Sequence, residues 1–65
     1  KMTAINRIQD VTLSNGRVII NKLGRTYSVT TFDHDTIATH TPSLTYVEAM
    51  SLLATLIKQD VLEIA

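Results

Sequence analysis

DVTLSNGRVIIN, residues 10–21, decides the fold. Val11 and Leu13 alternate with Asp10 and Thr12, and beyond Asn15-Gly16 the same alternation resumes with Val18 and Ile20. A strand turns every second side chain to one face, and Asn-Gly tolerates the positive φ of a tight turn, so the stretch predicts a β-hairpin closed at Asn15-Gly16. Upstream, Ile5 to Gln9 either lengthens the first strand or, because Ile5 and Ile8 lie three apart, makes a short helical turn.

Downstream, Leu23-Gly24 breaks the pattern, and RTYSVTTF, residues 25–32, alternates Tyr27 and Val29 with Ser28 and Thr30. Connections this short set sequential strands side by side, which extends the hairpin into a meander. The polar, β-branched DHDTIATHTPS, residues 33–43, leaves room for a short fourth strand around Thr36 to Thr39, and Pro42 is expected to end the extended region.

TYVEAMSLLATLIKQDVLEIA, residues 45–65, opens with Thr45 and, three positions on, Glu48. That pair fits a capping box, in which hydroxyl and carboxylate each satisfy a backbone N–H; Ser43 is the competing cap. Good helix formers follow through Lys58, and residues 60–65 either continue the helix or turn into a last strand from Val61 to Ile64. The expected fold class is therefore α+β, a small antiparallel β-meander of three to four strands with one C-terminal helix packed on the sheet. A chain of 65 residues holds one domain, residues 1–65. Met2 reads as the natural start and Lys1 as an addition before it. The expected core is Val11, Leu13, Val18, Ile20, Val29, Val47, Met50, Ala54 and Ile57.

The helix has more apolar surface than one sheet face needs. Val47, Met50, Ala54, Ile57, Val61 and Ile64 recur at alternating spacings of three and four, a continuous seam assigned to the sheet. Ala49, Leu52, Leu53 and Leu56 form a second strip. Burying a leucine contributes about 1.5–3 kcal/mol, so three leucines weigh as much as the roughly 3–5 kcal/mol a core this small supplies. Leu52, Leu53 and Leu56 are thus the expected protein-interaction residues, covered by a second copy or by another protein, unless the sheet wraps both strips.

Charge and chemistry narrow the function. Net charge is zero, yet residues 1–32 hold Lys1, Arg7, Arg17, Lys22 and Arg25 against Asp10, and residues 33–65 hold Asp33, Asp35, Glu48, Asp60 and Glu63 against Lys58. No cysteine is present, which excludes disulfides and thiolate metal sites and leans toward a reducing compartment. No apolar run approaches the length of a membrane span, so a soluble, cytoplasmic chain is expected, with no membrane partner. Asp33, His34, Asp35 and His40 have the right ligand types for a divalent ion, but their spacing matches no ligand pattern, and the aspartates suit a turn. No serine elbow or glycine-rich phosphate loop occurs, and a chain of this size leaves little room for an enzyme pocket. No catalytic residue, cofactor or metal is expected.

These features imply a small non-enzymatic protein-interaction module, a regulator, inhibitor or structural subunit of the kind phages and mobile elements encode. It would act through its C-terminal helix as a homo-oligomer, a dimer first, or on a heterologous partner. The alternative is nucleic-acid binding by the N-terminal hairpin, with Arg7, Arg17, Lys22 and Arg25 as phosphate contacts and Tyr27 as a stacking platform.

Overall fold

A computed structural model of the chain describes residues 5–64. Lys1, Met2 and the side chain of Ile64 lie outside what it describes. Four antiparallel strands, β1 (Ile5–Leu13), β2 (Gly16–Leu23), β3 (Thr26–Asp33) and β4 (Thr36–Leu44), lie in the order β1-β2-β3-β4, and one helix, α1 (Tyr46–Ile64), follows. The fold is the small α+β domain the sequence implies, with the helix packed on one face of the meander.

The hairpin forms, but its turn sits one residue earlier than Asn-Gly suggests. Ser14 and Asn15 make the turn, while Gly16 opens β2 opposite Leu13. Gly16 is there for space, because a Cβ on it would meet the Phe32 carbonyl oxygen of β3 at 1.7 Å. Positive φ occurs instead at Gly24 (65°) in the β2–β3 turn, at His34 (57°) in the β3–β4 turn and at Ser43 (62°). The two turns at one end of the sheet are joined, the His34 N–H donating to the Asn15 carbonyl at 2.8 Å.

Ile5 to Gln9 belongs to β1. A register shift between Arg7 and Gln9 absorbs one residue, which is why Ile5 and Ile8 lie three apart inside a strand. β4 runs well past Thr39, to Leu44, with Pro42 inside it. Proline lacks the N–H of a ladder bond, yet β4 is an edge strand and its pairing with β3 shifts between Tyr27 and Val29, where Pro42 and Ser43 are accommodated.

The capping box is formed: the Thr45 N–H donates to Glu48 Oε1 at 2.9 Å and the Glu48 N–H to Thr45 Oγ1 at 3.1 Å. Thr45, not Ser43, is the cap, and α1 continues through residues 60–64 rather than turning into a strand. The helix starts beside the β2–β3 end of the sheet, where Tyr46 meets Tyr27 edge-on at 5.5 Å, and ends beside the first hairpin turn, where Asp60 binds Ser14.

Val18, Ile20 and Val29 of the sheet and Ala49 and Leu53 of the helix are buried together. Val11, Leu13, Tyr27, Leu44, Met50, Leu52 and Leu56 pack around them. The helix is therefore turned the other way from the expectation that Val47, Ala54 and Ile57 face the sheet. Val47 is 71% exposed, Val61 54% and Ile57 37%, and Ala54 is exposed as well. Bulk explains the orientation: both strips have helical spacing, but the leucine strip removes more apolar area from water than one built on valine and alanine.

Candidate interaction surface

The rotation of α1 puts the leucine strip on the sheet together with Met50, the one member of the seam among the described side chains that packs against the core as expected. Leu53 lies in the core at 6% exposure, and Leu52 and Leu56 are half-buried against it, so these three residues cover the sheet. The seam of Val47, Ala54, Ile57 and Val61 is what α1 offers to solvent, with Leu62 also 65% exposed. Sequence spacing identified both strips and could not tell which one the sheet would take.

The opposite face of the sheet carries no helix. Ile19 points to that side, since its neighbours Val18 and Ile20 point into the core, yet it is only 5% exposed. Asp10 is its cross-strand neighbour and Arg17 its neighbour along the same face, and Arg17 Nε donates to Asp10 Oδ1 at 3.2 Å while a second guanidinium nitrogen reaches Oδ2. Arg7 adds a weaker ion pair to the same carboxylate at 3.5 Å. The Arg17 hydrogen bond holds the Asp10 carboxyl below its ordinary range, against a smaller opposing push from desolvation, and the fields of Arg17 and Arg7 lower it further. Asp10 in turn raises Arg17. On the other flank of Ile19 stands Thr30, 8% exposed, its hydroxyl hydrogen-bonded to His40 Nδ1 at 2.8 Å. The middle of this face is thus roofed by paired polar side chains.

The proposed basic cluster divides. Arg7 and Arg17 converge on Asp10 on the open face. Lys22 lies on the helix side, its Nζ 5.9 Å from the centre of the Tyr27 ring, and Tyr27 is half-buried against the core and Tyr46. Arg25 occupies the β2–β3 turn. A stacking aromatic with phosphate-binding cations around it is not assembled on one surface by these five residues.

Asp33 and His34 are 3.8 Å apart on an exposed turn, while His40 is engaged by Thr30. Among the described residues no group of three His, Asp or Glu side chains comes together around a metal position. A concavity of about 260 Å³ lies on the open face between Ile5, Leu23, Ser28, His40 and Pro42. Its lining is predominantly apolar, and the one imidazole in it, His40, is hydrogen-bonded through Nδ1 to the Thr30 hydroxyl. Among the described residues no helix is long and apolar enough to cross a membrane.

Fold and surfaces together define a two-layer α+β domain whose helix is apolar on both sides. No family model, curated protein or solved structure matches the chain, which leaves its own surfaces as the ground for a function.

Proposed function

We propose that the protein is a non-enzymatic interaction module that works by covering the outer face of α1 with another protein surface. The observation that carries this reading is the exposure of Val47 and Val61, at 71% and 54%, along a flank of the helix that the core does not cover. Isolated apolar side chains on a surface are ordinary, but here they align with Ala54 and Ile57 at helical spacing into one seam. The intended contact is the seam, and Leu52, Leu53 and Leu56 support it from beneath by fixing the helix on the sheet. A regulator, an inhibitor or a structural subunit, acting in the cytoplasm, would each use such a surface.

Nucleic-acid binding is the second reading, favoured by the exposed Arg7 and Arg17 side chains. Both cations are already spent on Asp10, which weakens it.

Light scattering over a concentration series, paired with a salt-dependent titration of mixed-sequence DNA, separates the two. The module reading expects Val61→Glu to abolish association while the circular dichroism stays native, and expects Arg17→Ala with Arg25→Ala to change nothing. DNA affinity that falls steeply with salt, drops in the arginine variant and ignores Val61→Glu would overturn it.

A further inference from the structure

We infer that the first hairpin turn is a site of spontaneous covalent modification: the backbone nitrogen of Gly16 attacks the side-chain amide of Asn15, and the carboxylate left behind loosens the far end of α1 from the sheet. The modification does not depend on what covers α1.

The reaction needs an asparagine whose following peptide nitrogen can reach its side-chain carbonyl carbon. A side chain on the following residue hinders that approach, and glycine has none. Of the three asparagines in the chain, Asn6 precedes Arg7, Asn21 precedes Lys22 and Asn15 precedes Gly16. Asn6 and Asn21 lie inside β1 and β2, and Asn21 is paired on both sides, to Arg7 and to Ser28. Asn15 is exposed in the turn. Its following nitrogen belongs to the Leu13–Gly16 rung at the turn end of the β1–β2 ladder, which can open without separating the strands behind it. Glycine is also fixed at this position, because a Cβ there would meet the Phe32 carbonyl oxygen at 1.7 Å. The packing that demands Gly16 therefore removes the side chain that would shield Asn15.

In the first step the Gly16 nitrogen gives its proton to hydroxide and bonds to Asn15 Cγ. The Cγ–Nδ2 bond breaks, and the nitrogen takes a proton from water and leaves as ammonia. One water then opens the cyclic imide at either carbonyl, giving aspartate, or isoaspartate whose main chain runs through Cβ and Cγ. One water is consumed and one ammonia released, with no oxidation or reduction.

The new charge falls in a crowded place. Asn15 shares a concavity with Asp60 and Glu63, at the negative end of the α1 dipole. A carboxylate added beside acidic groups disrupts by like-charge repulsion. Asp60 is the residue that accepts the Ser14 N–H and hydroxyl, so the repulsion works against the tie between helix and turn. The Asn15 carbonyl accepts the His34 N–H at 2.8 Å, and in isoaspartate that carbonyl leaves the main chain altogether. Both ties at this end of the sheet thus end on residues 14 and 15.

The natural chain is the material for the test, held in warm, mildly alkaline buffer and mapped over days by peptide mass spectrometry for exchange of an amide for an acid. Residue 15 should convert ahead of Asn6 and Asn21, to both aspartate and isoaspartate, and Asn15→Gln should stop the conversion because its larger ring closes more slowly. The converted fraction, separated by anion exchange, should lose hydrogen-exchange protection at the His34 N–H and melt below the natural chain. Asn15→Asp carries the charge on an ordinary main chain and should lower the melting temperature by about 2–4 °C, a gap that closes in high salt. Conversion first at Asn6 or Asn21, or none at residue 15 while a short peptide containing Ser14 to Arg17 converts, overturns the site. A converted fraction that keeps His34 protected and melts with the natural chain overturns the loosening. Asn15→Asp melting with the natural chain at low salt overturns the part assigned to charge.

Discussion

The Asp60 carboxylate reaches across 46 residues to Ser14, accepting its backbone N–H at 3.2 Å through each oxygen and its hydroxyl as well. The far end of α1 is thereby tied to the first hairpin turn, and with the Tyr27–Tyr46 contact at the near end the helix is fixed at both ends of the sheet. That double anchorage holds the helix in the orientation that burial of the leucine strip favours.

Asp60→Ala should destabilise the fold by about 1 kcal/mol, the usual net worth of a lost hydrogen-bonding partner, and lower the melting temperature by about 4–8 °C. Ser14→Ala removes only the hydroxyl and should cost less. In the Asp60→Ala background Ser14→Ala should cost close to nothing, so a double-mutant cycle by urea unfolding checks the pairing; full additivity would deny it.

The orientation of α1 gives a contrast within one helix. Leu53→Ala opens a cavity beneath α1 and should cost about 2–5 kcal/mol. Val47→Ala, at 71% exposure, should leave the folded monomer within about 0.5 kcal/mol of the natural chain. Equal losses, measured by denaturant midpoint below any association concentration, would contradict the observed orientation of the helix.

What the sequence made legible follows from which signals are local. Alternation in DVTLSNGRVIIN and the Thr45–Glu48 spacing specify a hairpin and a cap through contacts a few residues long, and both are present. β4 was harder to read because proline and threonine give it no clear alternation, and its stability comes from pairing with β3 rather than from its own residues. The helix face was unreadable for a different reason: two strips of similar period compete, and the choice depends on leucine bulk against the sheet and on Asp60 finding Ser14, neither of which is a matter of spacing. The excess of apolar positions on α1 is legible in the spacing, whereas the burial of Leu53, with Leu52 and Leu56 packed beside it, is not.

Acid should reveal the Asp10–Arg17 pair. The folded-state pKa of Asp10 lies below that of the unfolded chain, so the pair stabilises the fold at pH values above the unfolded value of about 4, and the contribution fades as pH falls through the lowered folded value. Asp10→Asn removes it at every pH. Melting curves from pH 7 down to pH 2 should show the natural chain above the variant at neutral pH and the two converging at the acid end. A gap that stays constant across the range would mean that Asp10 acts through packing over Ile19 and not through its charge.

Gly16 tests the geometry at the end of the sheet where two hairpin turns are joined. It stands opposite Leu13 on one side and Asp33 on the other, so it is held between two strands at the end where both hairpin turns meet. The space a Cβ would take is filled by the Phe32 carbonyl, at 1.7 Å, and a backbone oxygen cannot step aside without moving β3. Gly16→Ala should therefore be destabilising even though alanine ordinarily suits an extended backbone better than glycine and would restrict the unfolded chain. Gly24→Ala makes the comparison, because there the cost arises from φ of 65° in an exposed turn rather than from a collision. The two should separate by hydrogen exchange: Gly16→Ala should speed exchange at the His34 N–H, whose acceptor Asn15 adjoins the displaced strand, while Gly24→Ala should leave that amide protected. Protection at His34 unchanged in Gly16→Ala would show that β2 and β3 can part at this corner without disturbing the joined turns.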